Sequence, residues 1–416
     1  MKSYDIVIIG GGSAGLAAAI EARKNGIDNI LLIERDVELG GILLQCIHNG
    51  FGLKVFKEEL TGPEYAERFV DELSEMGIEY KLNTLVTKLN PNKIVEYANS
   101  DEGFKEVQAK AVILTMGCYE RSAGAINLPG NRPSGILTAG TAQKYLNIDG
   151  YLVGKKVFIL GSGDIGLIMA RRMTLEGAKV LGVAEILPFS SGLSRNIVQC
   201  LEDYDIPLYL SHTVTDVIGE SKLEKLVISK VDGFTPIPGT EMEFEVDALL
   251  LSVGLIPENG ISEAAGIRLD ARTKGPIVNE SYQTNIDGIF ACGNVLHVHD
   301  LVDFVTNESR RAGRAAARYI KAELTVGDSF DTIAGNGISY IVPKTVNKDN
   351  LDGDLELFMR VTDVYKNVLI HIIGDGKVIK SIKKRHLAPA EMESVKLKLE
   401  DIVHVVEDIK IEVEVL

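Results

Sequence analysis

Two segments of this chain carry the same pattern of glycines and acids, and this internal repeat limits the possible folds more than any other feature. In the first copy, an apolar run leads to a glycine turn at residues 10–15, a helical segment follows, and a second apolar run ends at Glu34. The second copy has the same order from residues 161–166 to Glu185, and in both copies the acid follows the third glycine by 19 residues. Strand, glycine turn, helix, strand and acid form a dinucleotide-binding βαβ unit, so the sequence predicts two nucleotide sites.

Each part of the repeated pattern has a physical role. The glycines permit a tight turn, let the backbone approach a pyrophosphate, and let helix and strand pack closely. The helix N-terminus offers N–H groups and a partial positive charge to phosphates, and the acid accepts hydrogen bonds from ribose hydroxyls. The glycines are Gly10, Gly12 and Gly15 in the first copy and Gly161, Gly163 and Gly166 in the second.

Several other segments predict elements of an α/β fold. Residues 61–76 predict a helix with Pro63 in its first turn. Residues 111–117 and 248–254 are apolar runs that end in glycine, which is typical of buried parallel strands. Residues 308–322 predict an alanine-rich helix whose arginines lie mostly on a solvated face.

Two segments predict loops. The glycine-rich residues 40–52 match no regular element, and they form either a mobile loop or a loop that closes over a cofactor. Residues 127–140 predict a turn-rich crossover between domains.

After residue 324 the pattern changes to short apolar runs separated by turns, which predicts an all-β module. Its basic run 380–385 is predicted to be a solvated edge strand. The module is either a structural addition or a docking surface for another subunit. The chain is thus predicted to be α/β, with two Rossmann-like domains and a C-terminal all-β module.

Composition excludes several classes of protein. The chain has 416 residues and a formal net charge of -15, which argues against binding to nucleic acid or anionic membranes. Its four cysteines are widely separated with no C-x-x-C pair, so neither a zinc ribbon nor iron–sulfur ligands are expected. No apolar run has the length of a membrane span. The first strand begins at the N-terminus, so we expect no signal peptide and a cytoplasmic protein.

Over residues 1 to about 322 the chain resembles the two-domain flavoproteins of the pyridine nucleotide-disulfide oxidoreductase superfamily. The resemblance implies a glutathione-reductase-like fold that binds FAD at the first glycine turn and NAD(P) at the second. It implies an FAD-binding domain of residues 1–120 and 256–324 and an NAD(P)-binding domain of residues 121–255. The all-β module, which the pattern of apolar runs predicts to be β-sandwich-like, comprises residues 325–416.

The resemblance also implies which residues contact each cofactor. Those expected at FAD are Gly10, Gly12, Ser13, Ala14, Gly15, Glu34, Arg35, Gly40, Gly41, Val86, Thr115, Gly117, Gly293, Asn294, Leu301 and Val302. Those expected at NAD(P) are Gly161, Gly163, Asp164, Ile165, Gly166, Glu185 and Gly254.

The sequence departs from the superfamily at its redox disulfide. The two positions that hold cysteines in the disulfide reductases are Leu43 and His48 here, so this disulfide is absent. Cys46 lies between them, and Cys46 and His48 are the candidate catalytic residues of the segment. A packing or hydrogen-bonding role for His48 is the alternative. Asn294 stands where the superfamily usually has Asp. Its amide can still form a hydrogen bond with a hydroxyl group, but it carries no charge.

Two further features bear on the ligands. Glu185 favours NAD over NADP because a carboxylate repels a 2′-phosphate, although Arg195 would reverse this if its loop folds back. His297 and His299 lie close to Cys292, but nothing else in the sequence supports a metal, and no metal site is predicted.

Longer segments resemble the FAD-dependent subunits of opine oxidase, hydrogen cyanide synthase and dye-linked proline dehydrogenase, and the oxidoreductase found beside an FAD-dependent glycerol-3-phosphate dehydrogenase. This resemblance implies a diaphorase-like subunit that exchanges hydride with NAD(P) and electrons with a partner dehydrogenase, in a hetero-oligomer that also contains an iron–sulfur subunit. Two alternatives stay open. One is a stand-alone NADH oxidase using Cys46, and the other is a non-catalytic, flavin-bearing assembly subunit of an amine, opine or proline dehydrogenase.

Overall fold

The computed structural model describes residues 1–416 and divides them into two compact units. One unit comprises residues 1–118 and 257–416, and the other comprises residues 119–256. The second unit is therefore inserted in the sequence of the first. No helix in the structure combines the length and the apolar composition needed to cross a bilayer.

The N-terminal part of the larger unit begins with the predicted strand, turn and helix. Its elements are β1 (Lys2–Ile9), α1 (Ser13–Lys24), β2 (Ile30–Ile33), β3 (Asn49–Phe51), β4 (Leu60–Thr61), α2 (Gly62–Glu75), β5 (Glu79–Lys81), β6 (Leu85–Leu89), β7 (Ile94–Asn99) and β8 (Gly103–Leu114). Strand β9 (Cys118–Glu120) spans the boundary with the inserted unit. The main sheet has the order β5-β2-β1-β8-β7-β6. The pairings from β5 to β8 are parallel, so the carboxyl ends of these strands meet at one edge.

Helix α2 shows how local sequence fixes an element. Thr61 is the N-cap, its hydroxyl accepts from the backbone N–H of Glu64, and the Glu64 carboxylate accepts from the backbone N–H of Thr61. This reciprocal capping satisfies two donors that the helix cannot pair internally. Tyr65, Phe69 and Leu73 form its buried face at helical spacing. The predicted helix 61–76 is confirmed.

The inserted unit repeats the architecture on a smaller scale. Its elements are β10 (Ile136–Thr138), α3 (Ala139–Asn147), β11 (Lys156–Leu160), α4 (Asp164–Leu175), β12 (Lys179–Glu185), α5 (Ser194–Cys200), β13 (Leu208–Leu210), β14 (His212–Ile218), β15 (Lys225–Asp232), β16 (Thr235–Pro236), β17 (Met242–Glu245), β18 (Ala248–Leu251) and β19 (Leu255–Pro257). The parallel sheet has the order β10-β18-β11-β12-β13. The predicted crossover 127–140 is partly wrong, because it contains β10 and the start of α3.

The chain then returns to the larger unit through α6 (Gly260–Ala264), β20 (Ile289–Ala291) and α7 (Val302–Ile320). Strand β20 joins the sheet parallel to β8. Helix α7 packs on α1, and an added Cβ at Gly313 would lie 2.4 Å from the Ala18 carbonyl oxygen. The prediction of a helix beginning at Glu308 was too short, since α7 begins six residues earlier.

The last part of the chain is all-β, as predicted. Its elements are β21 (Phe330–Ala334), β22 (Ile338–Val342), β23 (Thr345–Val346), β24 (Leu355–Val361), β25 (Tyr365–Gly374), β26 (Lys377–Leu387), β27 (Glu393–Leu397), α8 (Leu399–Ile402) and β28 (Asp408–Val415). Two sheets, β23-β21-β28-β25-β26 and β22-β24-β27, enclose a separate hydrophobic core. Strand β26 carries the basic run and lies at a sheet edge.

The arginines of α7 attach this β-sandwich to the rest of the unit. Arg311 forms an ion pair with the buried Glu356 of β24. Arg314 pairs with Glu21 of α1 at 2.7 Å, and Arg318 donates to a backbone carbonyl beyond β23 at 2.7 Å. These side chains bridge elements instead of lying on a solvated face, so that interpretation was wrong for them.

A largely buried ion pair, whose side chains are 17% and 14% exposed, makes a second attachment and gives a test of the fold. Arg360 of β24 pairs with Asp300, whose carboxylate also accepts from the Met392 N–H at 2.6 Å. We expect Arg360→Ala to lower the free energy of unfolding by about 3 kcal/mol, because it leaves a carboxylate buried without its cation. Urea unfolding followed by circular dichroism measures this loss.

The exposed pair between Lys398 and Glu400, 3.3 Å apart, supplies the matched control. Both side chains are mostly in solvent, so Lys398→Ala should change the unfolding free energy by less than about 0.5 kcal/mol. Equal effects of the two substitutions would show that Arg360 contributes no more than a surface cation.

Candidate functional site

The first glycine turn joins β1 to α1 and excludes side chains at two of the three glycines of the repeated pattern. A Cβ added at Gly10, whose φ is +109°, would lie 2.5 Å from the Thr115 carbonyl oxygen, and one added at Gly15 would lie 1.8 Å from the Gly10 carbonyl oxygen. A Cβ at Gly12 would meet nothing nearer than the Gly41 Cα at 4.0 Å. Gly10 and Gly15 are therefore required by the turn itself, whereas Gly12 leaves open space beside the helix.

That open space lies at the N-terminus of α1. Gly12 is the N-cap, no side chain caps the helix, and its first turn contains no acid. The first N–H groups of a helix have no acceptor within the helix, and the helix dipole gives them a partial positive charge. This end of α1 therefore fits an anionic group such as a pyrophosphate.

Glu34 ends β2 and holds the turn from the other side. Its Oε2 accepts from the Gly11 N–H at 2.5 Å, and its Oε1 accepts from the Asp36 N–H at 2.9 Å. A carboxylate has about four acceptor positions, so about two remain for the hydroxyls of a ribose. The Glu34 carbonyl accepts from the Thr84 N–H at 2.9 Å, which brings the start of β6 and the predicted contact residue Val86 to this side of the turn.

The ends of the neighbouring strands meet at the same turn. Thr115 follows β8, and its hydroxyl donates to the Gly10 carbonyl at 2.9 Å. Gly293 follows β20, and a Cβ added there would lie 2.8 Å from the Ala14 Cβ in α1. The structure thus brings together the glycine turn, Thr115 and the Gly293–Asn294 pair as the resemblance implies.

The segment 40–52 lies against this turn. The Gly40 N–H donates to the Gly11 carbonyl at 2.9 Å, and a Cβ at Gly41 would lie 3.1 Å from the Gly12 Cα. The segment contains a 3-10 helix over Gly41–Gln45 and the short strand β3, so the prediction that it has no regular structure was wrong.

Asp303, in the first turn of α7, orders the segment that follows β3. Its carboxylate accepts three backbone N–H groups, from Gly52 at 3.2 Å, Lys54 at 3.1 Å and Val55 at 2.8 Å. Three donors on one buried carboxylate hold the segment rigidly against the start of α7.

The two candidate catalytic residues lie in the same segment. The Cys46 thiol donates to the Ile42 carbonyl at 3.3 Å, and burial raises its pKa to about 12. A thiol with this pKa stays protonated at neutral pH and is a poor nucleophile. His48 hydrogen-bonds through Nδ1 to the Asn49 carbonyl at 2.9 Å, and its ring lies 5.0 Å from that of Phe51 between centroids. These contacts suit an orienting role for His48, and the catalytic roles stay predictions.

Asn294 is oriented at both ends of its amide. Its Nδ2 donates to the Cys118 sulfur at 3.6 Å, and its Oδ1 accepts from the backbone N–H of His299 at 3.0 Å.

Burial lowers the pKa of His297. Burial alone would raise the pKa of the neighbouring Glu308, but His299 and His297 beside the carboxylate hold it well below its usual value.

The second glycine turn repeats the first at a shift of 151 residues, from Gly10 to Gly161. Gly10 donates its N–H to the end of β2 at 2.8 Å, and Gly161 donates to the end of β12 at 2.7 Å. A Cβ at Gly161 would lie 2.1 Å from the Ser252 carbonyl oxygen, and one at Gly166 would lie 2.6 Å from the Ser252 Cβ. Helix α4 begins after Gly163 without a side-chain cap, as α1 does after Gly12. Two turns of the same construction are therefore present.

The acids of the two copies differ in their hydrogen bonds. Glu185 Oε2 accepts from the Ser162 N–H at 3.0 Å, the Ser162 hydroxyl at 2.6 Å and the Ser191 hydroxyl at 3.0 Å. Its Oε1 accepts from the Leu187 N–H at 3.0 Å. Glu185 therefore accepts four hydrogen bonds where Glu34 accepts two, and a ribose must compete with the serine hydroxyls.

Asp164, the first residue of α4, fixes the loop that follows β12. Its Oδ1 accepts from the Leu193 N–H at 2.8 Å and from the Asn196 side-chain amide at 2.6 Å. The Asp164 carboxylate is thus occupied by hydrogen bonds within the protein. Arg195 lies on the exposed side of α5 in the same loop region.

The other predicted contact residues lie near the same ends of their sheets. They are Ser13 in the first turn of α1, Arg35 after β2, Gly117 after β8, Leu301 and Val302 at the start of α7, Ile165 in the first turn of α4 and Gly254 after β18.

Residues 4–317 match the model of the family described as pyridine nucleotide-disulphide oxidoreductase. The chain belongs to this family. Members of the family bind FAD and NAD(P)H, and the chain is an FAD-dependent NAD(P) oxidoreductase. The predicted family, fold class, enzyme class and cofactors are confirmed.

Individual relatives agree with this assignment. The chain is 25% identical to a thioredoxin reductase of Listeria innocua over 326 residues, which cover 77% of this chain and 95% of the relative. It is 24% identical to an opine oxidase subunit of Agrobacterium tumefaciens over 313 residues, which cover 70% of this chain and 61% of the relative. The solved structure of T. acidophilum thioredoxin reductase shares the fold, with a TM-score of 0.64, 23% identity, and coverage of 78% of this chain and all of that one.

Four side chains of these sites were not identified from the sequence. Asp303 and Glu308 lie in α7, and Ser162 and Ser191 surround Glu185. The one available signal was Ser162, which stands at the position of Gly11 in the first copy. Asp303 acts on groups about 250 residues away, and Ser191 and Glu308 reach their partners across loops of irregular structure, so no local pattern marks these three.

The glycine geometry predicts two different results of adding one methyl group. Gly12→Ala places its Cβ in the open space at the end of α1, so the chain should fold but bind FAD at least about tenfold more weakly. Gly15→Ala creates a collision with the backbone and should lower stability even without flavin. Flavin fluorescence titration and thermal unfolding of the flavin-free proteins measure the two effects.

Gly124→Ala is the matched control, because its Cβ would meet only the Ser122 hydroxyl at 3.8 Å. It should change neither FAD affinity nor thermal stability. Full FAD affinity in Gly12→Ala would contradict the assignment of the pyrophosphate to the end of α1.

Proposed function

We propose that this chain is the FAD- and NAD(P)-binding subunit of a dehydrogenase complex, in which it exchanges hydride with the nicotinamide and electrons with a partner flavoprotein. The observation that carries the proposal is the pair of glycine turns of the same construction, one in each compact unit, each with a glycine N–H that donates to the end of the neighbouring strand and an uncapped helix after it. FAD is assigned to the first turn and the nicotinamide nucleotide to the second. Bound flavin takes up a hydride and passes electrons onward singly or in pairs.

The residues of the chain then act by binding and orientation. The N–H groups at the start of α1 hold the pyrophosphate, and Glu34 accepts the ribose hydroxyls with its two remaining acceptor positions. Asn294, held by His299 and Cys118, offers an uncharged amide to the flavin side of the site. No side-chain nucleophile is required, which agrees with the protonated state of the Cys46 thiol.

The second turn supports NAD as the nicotinamide cofactor. Glu185 is buried and held by four hydrogen bonds, so its carboxylate cannot move away from a 2′-phosphate. Arg195 is exposed on α5, and the four hydrogen bonds of Glu185 come from other residues. The two ribose hydroxyls of NAD can take the place of the serine hydroxyls as donors to Glu185. The 2′-phosphate of NADP is instead repelled by the Glu185 carboxylate.

The partner is proposed from resemblance. A relative of similar sequence is named as one subunit of an opine oxidase, and the segment after Gly40 resembles the oxidoreductase associated with FAD-dependent glycerol-3-phosphate dehydrogenase. We therefore propose that the partner oxidises glycerol 3-phosphate and that an iron–sulfur subunit carries electrons between the flavins. We propose the β-sandwich of residues 325–416 as the surface on which this partner docks.

Anaerobic titration of the purified chain tests the proposed nucleotide chemistry. NADH should bleach the flavin absorbance stoichiometrically, with an affinity at least about tenfold above that for NADPH. Glu185→Ala should remove most of this preference, since it removes the charge that repels the 2′-phosphate. Glu202→Ala in the same unit is the control. A flavin that stays oxidised with both nucleotides would favour the alternative of a non-catalytic assembly subunit.

Reconstitution with the partner tests the proposed complex. With glycerol 3-phosphate and NAD, NADH should form only when this chain and the partner dehydrogenase are both present. Oxygen consumption by this chain alone with NADH, abolished in Cys46→Ser, would instead support the stand-alone NADH oxidase. If the partner formed NADH without this chain, this chain would not be part of the electron path.

A further inference from the structure

Two histidines of the loop that contains Asn294 and a glutamate of α7 form a closed cluster in the larger unit. His297 and His299 lie between β20 and α7, and Glu308 lies two turns into α7. Their side chains are 1%, 0% and 0% exposed, and one ligand atom of each lies within 4.8 Å of the others. His297 Nε2 is 2.7 Å from Glu308 Oε2, and His299 Nε2 is 3.2 Å from Glu308 Oε1.

Apart from the hydrogen bond between His297 Nε2 and Glu308, the protein leaves the ring nitrogens of these imidazoles without a partner. Three of their four ring nitrogens are buried with no hydrogen-bond partner, namely His297 Nδ1, His299 Nδ1 and His299 Nε2. The short distance from His299 Nε2 to Glu308 is therefore a close approach without hydrogen-bond alignment. Buried polar atoms are nearly always paired, so a fully buried imidazole with neither nitrogen paired indicates a missing ligand.

We propose that His297, His299 and Glu308 bind a divalent transition-metal ion, Zn²⁺ in the first instance. Two imidazoles and one carboxylate are a known zinc-binding set, and imidazole also suits the other late first-row metals. Zinc–nitrogen and zinc–oxygen bonds of about 2.0–2.2 Å at tetrahedral angles separate neighbouring ligand atoms by roughly 3.4 Å. The 3.2 Å between His299 Nε2 and Glu308 Oε1 matches this separation, whereas the 2.7 Å between His297 Nε2 and Glu308 Oε2 is a hydrogen-bond distance that would widen when the ion replaces the proton.

The surroundings assign such an ion a structural role. Glu308 Oε1 also accepts from the Gly293 N–H at 2.6 Å, so a ligand on this carboxylate connects α7 to the turn after β20. The rings of Tyr340 and Phe358, from the β-sandwich, lie 6.1 Å and 5.6 Å from that of His297 between centroids. The ion would therefore cross-link the loop 293–299 and α7 beneath the β-sandwich and would not depend on the proposed partner or nucleotide preference.

Metal analysis of the full-length, FAD-loaded chain tests the proposal. After expression with added zinc and exhaustive dialysis, we expect one zinc per chain by inductively coupled plasma mass spectrometry. X-ray absorption should show only nitrogen and oxygen neighbours at about 2.0–2.1 Å. His299→Gln should lower the zinc content to background.

His371→Gln is the matched control, because His371 forms a surface pair with Glu414 at 2.6 Å and has no second histidine beside it. It should keep the full zinc content. If His299→Gln fails to fold, cobalt substitution in the unaltered chain still decides the question through ligand-field absorption at wavelengths beyond the flavin bands.

Three results would overturn the proposal. They are a metal content at background in a chain with full FAD, sulfur neighbours in the X-ray absorption spectrum, and equal zinc in His299→Gln and the unaltered chain. If one equivalent of another first-row metal is found and is lost in His299→Gln, the site is supported and that metal, not zinc, is its ion. FAD content measured in the same samples separates this outcome from failure of the flavin site.

Discussion

A backbone carbonyl pressed against a glycine fixes each nucleotide turn, and the rest of each site depends on that contact. At Gly15, a side chain of even one carbon would lie 1.8 Å from the Gly10 carbonyl oxygen. With glycine at this position, the helix can approach the strand more closely than it could with any other residue. Its N-terminus then lies at the carboxyl edge of the sheet, where Thr115 and Gly293 arrive from neighbouring strands. The position of the phosphate site is thus set by backbone packing before any charged side chain contributes.

The elements that could be predicted from the sequence are those whose determinants are local. The two glycine turns and helix α2 fall in this class, because glycine spacing and the Thr61–Glu64 capping pair act within a few residues. The start of α7 could not be predicted in the same way. Its N-cap, Leu301, has no capping side chain, and the first turn is stabilised by Asp303 binding a segment about 250 residues earlier. Such a contact exists only in the folded chain.

The same distinction applies to the candidate sites. The acids Glu34 and Glu185 could be placed from spacing alone, but not the serine hydroxyls that occupy Glu185. Cys46 was a catalytic candidate because it lies beside the expected flavin, and its burial, which suppresses the thiolate, is a property of packing. Spacing along the sequence therefore predicts where the acids lie but not the state of individual groups, because burial and distant partners decide that state.

The insertion of residues 119–256 has a consequence for synthesis. Strand β8 pairs with β20, and α1 packs on α7, so the N-terminal segment is complete only when these later elements are present. The ribosome must synthesise roughly 170 residues between β8 and β20. At 5–20 residues per second, the first 118 residues would wait roughly 10–35 s with an open sheet edge and an uncovered helix face. The inserted unit has its own core and is complete earlier. A nascent chain therefore folds from its middle outward, and its N-terminal segment is the part most in need of a chaperone.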